Sequence, residues 1–293
     1  MSDFSSELEQ RRQIVERFLN EQFLDEKPQK VIFDAMRYSL LAGGKRIRPV
    51  LLLSFCEACG GDMETALPAA GALEMLHTYS LIHDDLPCMD NDDFRRGRLT
   101  CHKVYGEDVA TLAGDALLTA SFRYLSELNV PAESALRCIR ILSDAAGENG
   151  MVGGQILDLE GEKRSLAEDE LRNVHLHKTG DLIRAACQMG TVLGCGSETQ
   201  FQASGEFARH LGLAFQIRDD MLDYVGDKEL LGKPIGSDLQ NGKSTFVSLL
   251  GLERCQILVR KETEDALKAL SEGAFIKTDF IEKLADSMIS RMK

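Results

Sequence analysis

The stretch AAGALEMLHTYSLIHDDLPCMD, Ala69–Asp90, decides how this chain reads. From Ala69 to His83 it is a long apolar run with helical patterning, and it ends abruptly on carboxylates at Asp84, Asp85 and Asp90. Pro87 falls inside the acidic cluster and should break or bulge the helix end there. A second run, Phe207–Arg218, ends in the same way on Asp219, Asp220 and Asp223. Asp219 and Asp223 are four apart and share a helix face. Carboxylates held that close repel unless cations neutralise them, and an all-oxygen ligand set suits Mg²⁺, which is bound through one or two carboxylates plus substrate phosphates. Two such clusters facing each other would hold a metal-bound phosphate or diphosphate.

Working outward, helical periodicity dominates, with few period-two runs of β-branched or aromatic residues. Helices are expected near 5–24, 29–41, 48–58, 64–85, 103–127, 132–147, 149–160, 167–178, 180–193, 200–225, 244–269 and 277–291. No low-complexity linker divides the 293 residues, so a single all-α domain over 1–293, of ten or more helices, is expected. Hydrophobic residues make up 44%, enough for one large core. The net charge is −13 with no basic tract, which argues against nucleic acid and against docking on an anionic membrane. No apolar stretch reaches membrane-span length and the polar N-terminus has no signal-like core, so no membrane insertion and a cytoplasmic location are expected. The eight cysteines include one isolated CxxC, Cys56 and Cys59, with no second pair to complete a zinc site.

The helix leading to Asp84 carries His77 seven residues upstream on nearly the same face, and Ser80 and Tyr79 four and five residues upstream. The rise per residue puts Tyr79 about 7 Å below Asp84. Core packing is an equal reading for Tyr79, and on its own His77 reads as a core histidine. The run from Asp90 to Arg98 sets Arg95 and Arg96 directly after carboxylates. Alone it is a solvated loop; beside a metal–diphosphate site its arginine forks suit phosphate oxygens. A basic knot, Gly43-Gly44-Lys45-Arg46-Ile47-Arg48, places Lys45 and Arg48 on one face and Arg46 elsewhere. It is either an exposed helix start or an anion site that needs no metal. Around the second cluster, Gln216, Asp219, Asp220 and Asp223 form one polar stripe on an apolar helix, which must face metal or solvent. Lys178 and Thr179, then Lys233 and Lys243, add cations and a hydroxyl; Gln155 and Asp158 either line the same cavity or are plain helix polarity. Gly242-Lys243-Ser244-Thr245 ends like a P-loop but lacks its glycine spacing and a preceding strand.

Taken in order, GGKRIRP, LEMLHTYSLIHDDLPCMDNDDFRRGRLTCH, GGQILDL, HKTG, FQIRDDMLD and GKST resemble the trans-isoprenyl diphosphate synthases over nearly the whole chain, and among them the bacterial farnesyl diphosphate synthase group. The resemblance implies an isoprenoid-synthase bundle around a deep central cavity, usually a homodimer, acting on small isoprenoid diphosphates. It implies three Mg²⁺ per site, with Mn²⁺ able to substitute. Asp84 and Asp90 would bind metal with Asp85 supporting, and Asp219 with Asp220 and Asp223 would bind it from the other side. Arg95, Lys178, Thr179, Gln216, Lys233 and Lys243 would contact the allylic diphosphate. Lys45, Arg48, His77 and Arg96 would hold isopentenyl diphosphate without metal, with Phe215 on its hydrocarbon. Tyr79, with Ser80, would stop the growing chain at C15. The alternatives are a geranyl or geranylgeranyl diphosphate synthase, then a class I terpene cyclase, for which Lys45, Arg48 and Arg96 would be surplus, or a non-catalytic synthase subunit, for which too many aspartates are present.

Overall fold

The computed structural model describes residues 3–24, 27–225 and 244–289. Its helices are α1 (Asp3–Asn20), α2 (Lys30–Leu40), α3 (Ile47–Ala58), α4 (Met63–Asp84), α5 (Cys101–Tyr105), α6 (Glu107–Ser126), α7 (Ala132–Ala146), α8 (Met151–Gly161), α9 (Glu168–His175), α10 (Asp181–Leu193), α11 (Glu198–Val225), α12 (Phe246–Leu250), α13 (Leu252–Glu272) and α14 (Asp279–Ile289), with one π-helical turn at Leu176–Gly180. The all-α expectation is borne out. The only strands among the described residues are β1 (Phe94–Arg95) and β2 (Arg98–Leu99), an antiparallel pair.

Four local readings change. The expected helix 103–127 is broken at Gly106 and the expected helix 244–269 at Gly251, where φ is +90° and +76°. A residue in that region ends one helix and starts the next, and glycine adopts it without the penalty a side chain carries. Conversely, the expected gap at residue 179 is closed by the π-helical turn, so α9 runs through it into α10. The loop around Arg96 is a hairpin. Its two-residue turn is Arg96-Gly97, with φ of +53° and +75°, the backbone of a type I′ turn.

The chain forms two compact units, one of Met1–Leu53 with Asp62–Ile139 and one of Ser54–Gly61 with Arg140–Lys293. In the first, α4 is the central element and packs on α6, α1 and α2. Its buried residues, from Ala66 to Ile82, lie all around its circumference, which is why its sequence shows no polar face. Asp62 caps it by accepting from the Glu64 and Thr65 amides. One carboxylate, Glu74, is buried among these apolar residues at 2% exposure. It accepts a short hydrogen bond of 2.5 Å from Arg46, which also pairs with Glu16 at 2.9 Å and donates to the Leu40 carbonyl at 2.7 Å. These partners hold Arg46 in a left-handed conformation, φ +49°.

In the second unit, α11 packs along α13 and α10. Ile217 and Met221 of α11 join Leu171, Val174, Phe246 and Val259 in one apolar cluster. The His175 ring stacks on Phe246, centroids 5.4 Å apart. No helix among the described residues is long and apolar enough to cross a membrane.

Two outcomes are expected. Glu74→Ala leaves a buried guanidinium short of its nearest counter-charge and should lower stability by about 3 kcal/mol, read as a reduced urea midpoint at unchanged m-value. Burial pushes the His175 imidazole down to about 4. A group so depressed binds its proton only in the unfolded chain between that value and its ordinary 6.5, so stability falls as pH drops through this window. His175→Gln should flatten that part of the profile in thermal melts taken across pH.

Candidate active site: two acidic helix ends and a guanidinium pocket

α4 ends where its chemistry begins. The Leu86 amide donates to the His83 carbonyl at 3.1 Å, and the chain doubles back so that the Asp90 amide donates to the Asp84 carbonyl at 2.9 Å. The four residues Leu86–Met89 thus form a turn that closes Asp90 onto Asp84. Asp84 is half-buried and Asp90 exposed. Asp85, rotated about 100° from Asp84 by the helix, is 3% exposed and accepts from Arg95 Nε and Nη2 at 2.7 and 2.6 Å. Burial raises the Asp85 pKa, and Arg95 opposes that rise.

The second cluster divides in the same way. Asp219 is half-buried, whereas Asp220 is 6% exposed and accepts the Phe246 amide at 2.8 Å, at the start of α12. The stripe expected to meet metal or solvent therefore loses one member to a backbone N–H. Asp223 is 8% exposed and Gln216 half-buried. Thr179 donates to Gln216 Oε1 at 3.2 Å, and Lys178 pairs with Asp158 at 2.6 Å. Gly154 explains its own motif: a Cβ there would lie 2.2 Å from the Lys178 amide nitrogen, so α8 crosses the π-helical turn in backbone contact. The Ser244 and Thr245 hydroxyls of the P-loop-like tail do structural work: Ser244 accepts the Leu166 amide and Thr245 caps α12. Phe215 is half-buried on α11. Lys233 and Lys243 lie outside the described residues.

The basic knot folds into a pocket of the first unit. Arg46, expected only to point away from Lys45 and Arg48, turns inward and is 3% exposed. Lys45 is exposed and precedes α3, which starts at Ile47. Arg48 Nη1 lies 3.3 Å from His77 Nε2, and Arg48 Nε is buried with no hydrogen-bond partner. Arg96 donates to the Gly43 carbonyl, and its guanidinium lies on Gly44, where a Cβ would stand 2.7 Å from Cζ. Burial pushes the pKa of both Arg48 and Arg96 down, Glu74 opposes, and neighbouring arginines push the same way. Burial, then Arg48, Arg96, Arg46 and Arg95, drive His77 well below its usual range. Neutral His77 can accept from Arg48, a role an imidazolium could not fill. Crowded guanidiniums with an orphaned buried N–H are a donor set whose chemistry suits a polyanion. Below Asp84, Tyr79 is 7% exposed and burial, then Asp84, push its phenol up to about 12; the Ser80 hydroxyl donates to the His77 carbonyl at 2.9 Å.

The donor sets suit a hard divalent cation: Asp84 with Asp90, and Asp219 with Asp223, offer oxygens alone. A further group, His210, Glu262 and Asp265, brings ligand atoms within 4.8 Å of one another. There Glu262 is engaged by His210 at 2.6 Å and Arg172 at 3.5 Å, an ion-pair network between α11, α13 and α9.

A family model described as polyprenyl synthetase matches residues 29–284. The chain belongs to this family. It is 50% identical over 257 residues to a farnesyl diphosphate synthase of Micrococcus luteus, covering 86% of this chain and 88% of that one. It is 47% identical over 267 residues to a geranylgeranyl diphosphate synthase of Cyanophora paradoxa, covering 89% of each. Among solved structures, an FPP/GFPP synthase from Zymomonas mobilis in its apo form superposes with a TM-score of 0.87 at 35% identity, covering 98% of this chain and 99% of that one. The family resemblance carried by the ordered motifs is borne out.

Sequence reasoning missed the buried partners, Glu74 and Glu16 for Arg46, and the hairpin that aims Arg95 and Arg96. Arg96-Gly97 flanked by Phe94 and Leu99 was the available hairpin signal. Gly44→Ala should displace Arg96 and weaken metal-free binding of inorganic pyrophosphate about 10-fold or more, measured by calorimetry with a chelator present and an unchanged circular dichroism spectrum.

Proposed function

We propose that this chain is a prenyltransferase. It joins isopentenyl diphosphate head to tail to dimethylallyl or geranyl diphosphate, giving (2E,6E)-farnesyl diphosphate and inorganic diphosphate. The observation that carries the reading is the coexistence, around one helix, of an acidic turn at Asp84 and Asp90 with a guanidinium pocket whose Arg48 Nε has no partner. A metal-dependent and a metal-independent diphosphate site are what a two-substrate condensation needs; a cyclase uses one diphosphate and leaves the second surplus.

In this reading Asp84, Asp90, Asp219 and Asp223 hold Mg²⁺, three ions with Mn²⁺ able to replace them, while Asp85 and Asp220 brace the doublets. Divalent ions held there would supply neutralisation of the leaving diphosphate's charge, the chemistry that ionisation of the allylic C–O bond needs. Lys178, Thr179, Gln216, Lys233 and Lys243 steady the allylic diphosphate, and Arg95 joins them while tied to Asp85. Lys45, Arg48, Arg96 and neutral His77 orient isopentenyl diphosphate so that its double bond faces the allylic cation, with Phe215 against its hydrocarbon. Attack of that double bond forms the new C–C bond and leaves a tertiary cation; the departing diphosphate takes a proton from the carbon beside it, a new double bond forms, and apolar walls exclude water. The chain acts as a single polyprenyl-synthase-like domain in a cytoplasmic homodimer.

Product length follows from Tyr79, with Ser80 beside it, as the floor beneath Asp84. A geranylgeranyl product is the competing reading, favoured by the Cyanophora relative's name. Incubation with labelled isopentenyl diphosphate, each allylic starter and Mg²⁺, with chromatography of the dephosphorylated products, should give C15. Asp84→Ala and Asp219→Ala should each lower kcat at least about 100-fold with the fold intact; near-normal kcat in either refutes the metal assignment.

A further inference from the structure

Tyr79 does not stand alone. Its ring meets the ring of His83, one turn on, edge to face, with centroids 5.6 Å apart and planes at 81°. His83 is in turn held by α6. Its Nε2 lies 3.0 Å from the Thr111 carbonyl oxygen. A carbonyl only accepts, so the contact places a proton on Nε2. The Nε2 end of the imidazole also abuts Gly114: a Cβ there would stand 2.1 Å from Nε2, 2.5 Å from Cδ2 and 2.9 Å from Cε1. Gly114 is buried in the middle of α6 and its φ is not in the left-handed region, so the close approach of this ring is what its missing side chain permits. Asp115 Oδ1, 3.9 Å from Nε2, adds a looser contact on the same side. The Nε2 end of the ring is thus located both by a hydrogen bond and by close contact with Gly114. Tyr79 inherits that position through a ring pair that favours one mutual angle.

We propose that His83 is a positioning residue for product length: seated on Gly114 and tied to Thr111, it locks the Tyr79 ring across the path of the growing chain. This rests on the reading that the prenyl chain extends toward Tyr79. The phenol has a single-bonded Cβ on which to swing. Without its partner ring it samples other rotamers, and the chain passes in a fraction of turnovers.

The test is the distribution of product lengths, taken as the ratio of C20 and longer products to C15, which a general loss of stability or turnover does not move. Tyr79→Ala tests the underlying reading and should lengthen the product. His83→Ala and His83→Gln both remove the ring, the second keeping a donor for Thr111, and each should raise the ratio by about 2- to 10-fold, the range an edge-on ring pair commands. His83→Phe restores a ring without the hydrogen bond and should return the ratio toward the parental value. Tyr79→Ala/His83→Ala should go no further than Tyr79→Ala, because the two act as one barrier. Gly114→Ala should shift the ratio in the same direction as His83→Ala; if it does not fold, the His83 variants decide. A parental distribution in His83→Ala and His83→Gln, with Tyr79→Ala lengthening, overturns the positioning role and leaves the Tyr79 reading standing. An unchanged distribution in Tyr79→Ala overturns the Tyr79 reading itself, and this proposal with it.

Discussion

Glu74 is one carboxylate set among guanidiniums. It sits on a buried turn of α4, meets Arg46 directly, and is the group that opposes the downward push on the pKa of Arg48 and Arg96. Without it, Arg46 would keep only Glu16 and Arg95 only Asp85, and Arg48 and Arg96 would crowd a low-dielectric volume without their main offset. With it, Arg46 is neutralised and becomes scaffold, while Arg48 and Arg96 keep unspent attraction for an anion. A second internal carboxylate beside Arg48 would satisfy its orphan N–H and close the site. The internal acid neutralises Arg46 and leaves the Arg48 Nε unpartnered.

The acidic clusters obey a similar economy. Each contains a doublet, Asp84-Asp85 and Asp219-Asp220, and in each the second carboxylate is the buried one. A helix turns each residue about 100° from the last, so one carboxylate cannot face the same way as its neighbour. Arg95 takes Asp85 and the Phe246 amide takes Asp220. These contacts anchor the helix ends, while the first member of each doublet stays half-buried. Arg95 therefore links the acidic turn to the hairpin that carries Arg96 on to Gly44, and the two halves of the first unit's site share one rigid frame.

Much of this was legible in the residues. α4 and α11 follow from their apolar patterning, the acidic ends from the aspartates themselves, and the separation of Arg46 from the Lys45 and Arg48 face from its spacing. The elements missed are those that one backbone angle decides. Gly106 and Gly251 break helices whose side-chain pattern runs straight through, because periodicity records faces and not φ. The Arg96-Gly97 turn was hidden because its strands are two residues long, too short for alternation to show. The π-helical turn left no pattern at all, since Gly154 and not its own residues makes room for it.

What the sequence by itself determined is the helical class and the kind of chemistry: oxygen-only acidic clusters, a separate basic knot, and an aromatic one turn below. These are local properties, set by residue type and by spacing within a turn or two. What only the tertiary structure decided is which of these groups the protein keeps for itself. Arg46 is consumed by Glu16 and Glu74, 30 and 28 residues away, and Asp220 by an amide 26 residues on. No local pattern encodes such partners, because burial next to an opposite charge depends on how distant helices pack, and that packing separates a structural charge from one left to bind a ligand.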